Sequence, residues 1–190
     1  MEVVVIRNLL LQSCSYLVKY KSKNILIDCG DSCEKYIREN NIQLECILLT
    51  HCHQDHICGL HELLNSQPKV KIYCSQLTFL GLQDEDMNLS YIIPEYSCIF
   101  DYGENILILK EGKQYIEGVE MHILATPGHS DDCLAFIIGK NIFTGDSYIP
   151  FAKVFSKWPR SNSFLAKQNE KKLIQLVEEN KFIIYPGHWR

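Results

Sequence analysis

Apolar and polar residues alternate along this chain in short blocks, switching repeatedly between the strand period of two and the helix period near 3.6. Val3–Ile6 and Ser15–Tyr20 read as strands, with Lys21-Ser22-Lys23-Asn24 turning into a third over Ile25–Asp28. Ser32 opens a short helix through Asn40, and the apolar run Cys46–Leu49 is the next strand. Ile57, Leu60, Leu63 and Leu64 have helical spacing and predict one helix over Ile57–Ser66. Val70–Tyr73 reads as a strand and Gln76–Leu82 as a short helix. Further strands are expected at Cys98–Phe100, Ile106–Leu109, Tyr115–Ile116 and Val119–Leu124. Cys133–Ile138 and Asn141–Thr144 form a hairpin across Gly139-Lys140. Asn162 or Ser163 caps a long helix to about Asn180, with Leu165, Leu173, Leu176 and Val177 facing the core, and Phe182–Tyr185 is the final strand. Strands and helices interleave in both halves. The expectation is an α/β (α+β) domain over residues 1–190, two sheets sandwiched between helices.

Composition narrows the function classes. The 190 residues are 46% hydrophobic and 22% charged, enough to bury a core. A formal charge of −4 argues against a nucleic-acid partner, and no apolar stretch approaches bilayer length, which argues against a membrane partner. Met1–Leu11 reads as an opening strand rather than a signal peptide, so a cytoplasmic location is expected, with the nine cysteines reduced and mostly packed in the core.

The chemistry is concentrated in His51-Cys52-His53-Gln54-Asp55-His56, directly after a strand. Imidazole and carboxylate are preferred ligands of zinc and neighbouring metals. In extended chain His51 and His53 point the same way and can grip one ion, while Asp55 and His56, turned by a helix start, face another. Three later strands each end in a glycine directly before a candidate ligand: Gly128-His129, Gly145-Asp146 and Gly187-His188. Asp28 stands at the end of Ile25-Leu26-Ile27. His61 and His122 follow no such glycine and read as structural, as does Cys52, which faces away from its histidine neighbours.

With these motifs in place the chain resembles the metallo-β-lactamase superfamily along essentially its full length. The resemblance implies a four-layer αββα sandwich with a dinuclear site, most simply two zinc ions, with iron or manganese as alternatives. It implies that His51, His53 and His129 hold the first metal, that Asp55, His56 and His188 hold the second, and that Asp146 bridges them. Asp28 would orient ligands without binding metal. The implied reaction is attack of a metal-bridging hydroxide on the carbonyl of a small thioester, ester or lactone.

Details discriminate within the superfamily. Asp146 stands where the zinc lactamases use cysteine, which argues against lactamase activity. Thr126-Pro127-Gly128-His129 and Thr144-Gly145-Asp146 look most like glyoxalase II. His188 lies two residues from the end, so the extra helical domain that grips glutathione there is expected to be missing. Lys153 and Phe155 do not match the spacing of that family's basic and aromatic pair. A mononuclear iron persulfide dioxygenase, using His51, His129 and Asp146, is the oxidative alternative, although Ser147-Tyr148-Ile149-Pro150-Phe151-Ala152 departs from its pattern. A non-catalytic metal-binding module is the third reading. The loop 147–162 carries Tyr148, Phe151, Lys153, Phe155, Lys157, Trp158 and Arg160, aromatics with interspersed cations that suit a small anionic substrate with an apolar part, and Tyr148 lies close enough to Asp146 to donate a hydrogen bond to the substrate. A monomer or homodimer is expected.

Overall fold

The first sheet owes its arrangement to strands that are apolar on both faces. In a computed structural model describing residues 1–99 and 103–189, its order is β1 (Glu2–Arg7), β2 (Cys14–Tyr20), β3 (Lys23–Ile27), β4 (Cys46–Leu48), β5 (Lys71–Cys74) and β6 (Ile106–Ile108). The first three strands are antiparallel neighbours and the last three join in parallel. Because side chains alternate across a strand, each contributes to two cores. Ile25, Ile27, Cys46 and Leu48 face the second sheet, while Leu26 and Ile47 face the helices.

The second sheet has the order β11 (Ile183–Pro186), β10 (Asn141–Gly145), β9 (Leu134–Ile138), β8 (Val119–Ala125) and β7 (Gly112–Ile116). Met121, Ile123, Phe136 and Phe143 meet the first sheet, and Ala135 and Ile142 meet the long helix. Helices α1 (Cys33–Glu39), α2 (Gln54–Ile57) and α3 (Leu60–Ser66) cover the first sheet, followed in the chain by α4 (Gln76–Gly81) and α5 (Glu85–Asn88). Helix α6 (Ser163–Asn180) covers the second sheet through Leu173, Leu176 and Val177. The layers therefore run αββα, as expected. Asn162 caps α6 by accepting from the Phe164 and Leu165 amides.

Two expected elements differ. The helix expected over Ile57–Ser66 is broken at Cys58-Gly59, where the Gly59 amide donates to the Cys29 carbonyl at 2.9 Å. A side chain at Gly59 would overlap the Gly30 carbonyl, so close packing of two backbones outweighs helix continuity there. No strand forms at Cys98 or Ile99, and the Phe100 end of that expected strand lies outside the described residues. Pro94 instead opens a 3-10 turn through Tyr96, and Cys98 is buried with its sulfur 3.3 Å from the Ser90 hydroxyl. No described helix is long and apolar enough to cross a membrane.

Candidate metal centre

Four strands end at one edge of the sandwich and deliver seven polar side chains to one place. The chain leaves β4 into His51 and His53, and α2 then turns Asp55 and His56 inward. His129 follows β8, Asp146 follows β10 and His188 follows β11. Ligating atoms of His51, His53 and His129 lie within 4.8 Å of one another, as do those of Asp55, His56 and His188. Asp146 lies between the two triads. Its Oδ2 is 3.4 Å from His129 Nε2 and 3.3 Å from His188 Nε2, and its Oδ1 is 3.4 Å from His56 Nε2. All seven are buried except His188, which is half-buried.

The outer ring nitrogens are engaged, which aims the inner ones. His56 Nδ1 donates to Asp28 Oδ2 at 2.9 Å, His129 Nδ1 to the Phe155 carbonyl at 2.7 Å, and His188 Nδ1 to the Leu11 carbonyl at 3.2 Å. His51 Nδ1 lies 3.0 Å from the Thr50 hydroxyl, which itself donates to Asp28. With the proton on Nδ1, the Nε2 atoms of these four rings face the centre with their lone pairs, whereas His53 turns its Nδ1 inward, 2.8 Å from His129 Nε2. Buried polar atoms normally have partners, yet His51 Nε2, Asp55 Oδ2, His56 Nε2 and Asp146 Oδ1 have no hydrogen bond. Four such orphans around one point, all nitrogen or carboxylate oxygen, fit divalent cations as the missing partners.

The titration of these groups reflects their crowding. Burial pushes the His51 imidazole well down, helped by the neighbouring His56 and His53. Burial and His129 together push His53 down to about 3. Burial opposes charge on His56, but the Asp55 and Asp146 carboxylates outweigh it and hold that imidazole well above the ordinary value. Burial likewise opposes charge on Asp146, and His188, His56 and His129 overcome it, holding the carboxyl well below the usual range.

The model of the metallo-beta-lactamase superfamily matches residues 9–188. This chain belongs to that superfamily. Among similar proteins, a hydroxyacylglutathione hydrolase of Enterobacter sp. (strain 638) is 32% identical over 129 residues, covering 67% of this chain and 43% of that protein. Glyoxylase B2 of Dictyostelium discoideum is 27% identical over 173 residues, covering 85% of this chain and 56% of that one. The chain thus spans about half the length of these curated relatives. Among solved structures, TTHA1623 in a di-iron-bound form superposes with a TM-score of 0.82 at 26% identity, covering 98% of this chain and 92% of that one. The BLEG-1 B3 metallo-beta-lactamase shares the fold, with a TM-score of 0.84 at 20% identity, covering 100% of this chain and 92% of that one.

In this superfamily member a cavity of about 370 Å³ opens beside the two triads. Lys153, Phe155 and Trp158 line it, but Tyr148, Phe151, Lys157 and Arg160 do not. Tyr148 packs against the apolar layer of Ala135, Ile142 and Leu173 under α6, because the turn after Asp146 sends its side chain to the outer face of the second sheet. Lys157 is exposed and turned from the cavity. His61 lies exposed on α3 beside Asn65, and His122 lies within β8 opposite Lys113 and Ile137. Cys52 packs beneath Gly81, with Arg160 Nη1 3.6 Å from its sulfur.

One buried carboxylate escaped the sequence reading. Asp132 accepts from the Cys52 amide at 2.8 Å, from the Thr78 hydroxyl at 2.9 Å and from the Ser130 hydroxyl. It thereby fixes the backbone between His51 and His53. The Ser-Asp-Asp-Cys run after His129 was its only trace in the sequence.

Proposed function

We propose that this superfamily member is a dinuclear metal-dependent hydrolase acting on a small thioester, ester or lactone. The observation that carries the reading is Asp146, whose carboxylate touches members of two complete triads while its own Oδ1 and three buried atoms beside it have no hydrogen bond. In this reading His51, His53 and His129 would hold one cation and Asp55, His56 and His188 the other, with Asp146 available to both.

A pair of bound divalent cations supplies the nucleophile, by acidifying water, and the positive charge that a developing oxyanion needs. The chain's own contribution is orientation and charge balance. Asp28 holds His56 directly and His51 through Thr50, one residue of each triad, in the tautomer that frees Nε2. Asp55 and Asp146 bring two negative charges and limit the net charge that the centre presents. The Phe155 carbonyl holds His129, so the loop flanking the cavity also braces a ligand. The cavity is of a size for a small molecule and borders both triads through His53, His129, Asp55 and His188. Glyoxalase II-like relatives make a thioester the first substrate class to test.

The test is elemental analysis of protein purified without added metal, followed by a panel of thioesters, esters and lactones. Near two metal ions per chain with hydrolysis of at least one class is the expected result. Near one iron per chain with persulfide-dependent oxygen uptake would overturn it in favour of oxidative chemistry. Metal without turnover of any kind would favour a binding module.

A further inference from the structure

The walls of the cavity carry information beyond the reaction class. Leu89, Ile92 and Ile93 line it from the segment after α5, and Ile149, Phe155 and Trp158 line it from the loop after Asp146. Apart from the histidines, Lys153 is the one cation among its described lining residues. Leu89 ends α5 with φ +65, a left-handed conformation where glycine or asparagine is the ordinary choice. A leucine held there at a cost of about 1 kcal/mol has a side chain that matters, and this one is directed into the cavity lining.

Both walls are anchored to the metal centre. Gln54, immediately before Asp55, donates to the Ile93 carbonyl at 2.7 Å. Arg160 donates to the Met87 carbonyl at 3.3 Å and pairs with Asp131. The apolar surfaces therefore keep a fixed distance from the reacting position, while Ile92 remains 42% and Phe155 48% exposed. At about 30 Å³ for each water-sized volume, the space takes on the order of a dozen non-hydrogen atoms. The charged termini of a tripeptide thiol would meet mostly hydrocarbon there.

Resting on the hydrolase reading above, we infer that the substrate carries an aliphatic chain of medium length, and that this chain lies against Leu89, Ile92, Ile93, Phe155 and Trp158. Hydrolysis then forms a bond from water oxygen to the acyl carbon and breaks the acyl bond to sulfur or oxygen. The leaving thiolate or alkoxide takes the proton that water gives up.

The experiment uses the metal-loaded protein and two series of increasing chain length: acyl thioesters of N-acetylcysteamine, which is uncharged, and alkyl-substituted γ-lactones. Each methylene buried raises kcat/KM roughly fourfold, so an octanoyl thioester, with six more methylenes, should exceed the acetyl one by between three and four orders of magnitude. Leu89→Asn suits the left-handed position, and Ile93→Ser is a second variant; each should cut the octanoyl-to-acetyl ratio by about tenfold. Calorimetry with the inert thioether S-octyl-N-acetylcysteamine should show binding with a negative heat-capacity change. Hydrolysis that ignores chain length in both series overturns the inference and leaves the hydrolase reading standing. Thioether binding without hydrolysis of any member upholds the apolar subsite and overturns the reaction. Absence of thioether binding overturns the subsite.

Discussion

Asp28 Oδ2 lies 2.9 Å from His56 Nδ1, and both side chains are buried. The same oxygen accepts from the Thr50 hydroxyl at 2.8 Å, while Oδ1 accepts from the Thr50 amide at 2.8 Å. Every group facing this carboxylate is a donor. Asp28→Asn therefore sets an amide NH₂ against a donor in either flip. The arrangement relaxes only if His56 loses its Nδ1 proton and carries it on Nε2, where a cation should be. Metal affinity should fall by about 10–100-fold, read by competition with a chelator of known affinity. Unchanged affinity would remove Asp28 from the orienting role.

Gly187 predicts a sharper effect. A Cβ placed there would overlap Asp146 Oδ1 and lie 2.9 Å from His56 Cε1 and from the Gly145 carbonyl carbon. Gly187→Ala must displace Asp146 or the strand end that carries His188. Metal content should drop from two ions per chain towards one, and stability by about 1–3 kcal/mol, the usual range for overpacking. Retention of both ions in a folded Gly187→Ala protein would mean that Asp146 is not shared.

Why this glycine was readable in the sequence, and other features were not, has a physical basis. Strand-ending glycines mark places where backbone must approach a crowded centre, so Gly145-Asp146 and Gly187-His188 announced themselves locally. The strands β3 and β4 were equally local as apolar runs, whereas which of their residues face the second sheet and which the helices emerges only from the packing. The cavity wall at Leu89, Ile92 and Ile93 had no such signature. Its residues gain their roles from long-range bonds, Gln54 to the Ile93 carbonyl and Arg160 to the Met87 carbonyl. Tyr148 misled for the complementary reason. Nearness in sequence to Asp146 said nothing about which side of the second sheet its ring would take.

Removal of metal should destabilise the fold as well as abolish turnover. A site that binds only the folded chain contributes about 4 kcal/mol when the free ion stands at a thousand times its dissociation constant. For a chain of this size each kcal/mol shifts Tm by roughly 2–4 °C, so chelation should lower Tm by about 10 °C. Differential scanning calorimetry before and after dialysis against a chelator, with restoration by added metal, checks this. A Tm indifferent to chelation would separate the buried orphan atoms from any resident cation.

Alkaline pH gives a prediction independent of the metal centre. Burial pushes the thiols of Cys46 and Cys74 up to about 12 from an ordinary 9.0. Above pH 9 the unfolded chain releases both protons while the folded chain keeps them, so the folded state binds more protons. Stability from these two thiols is fully present below pH 9 and is lost as pH rises towards 12. Each contributes a slope of up to about 1.4 kcal/mol per pH unit in that window. Urea unfolding midpoints under reducing conditions should therefore fall above pH 9. In Cys46→Val and Cys74→Val variants, which fill the same space without a proton to lose, the fall should be shallower. A slope unchanged by both substitutions together would mean that other groups govern the alkaline transition.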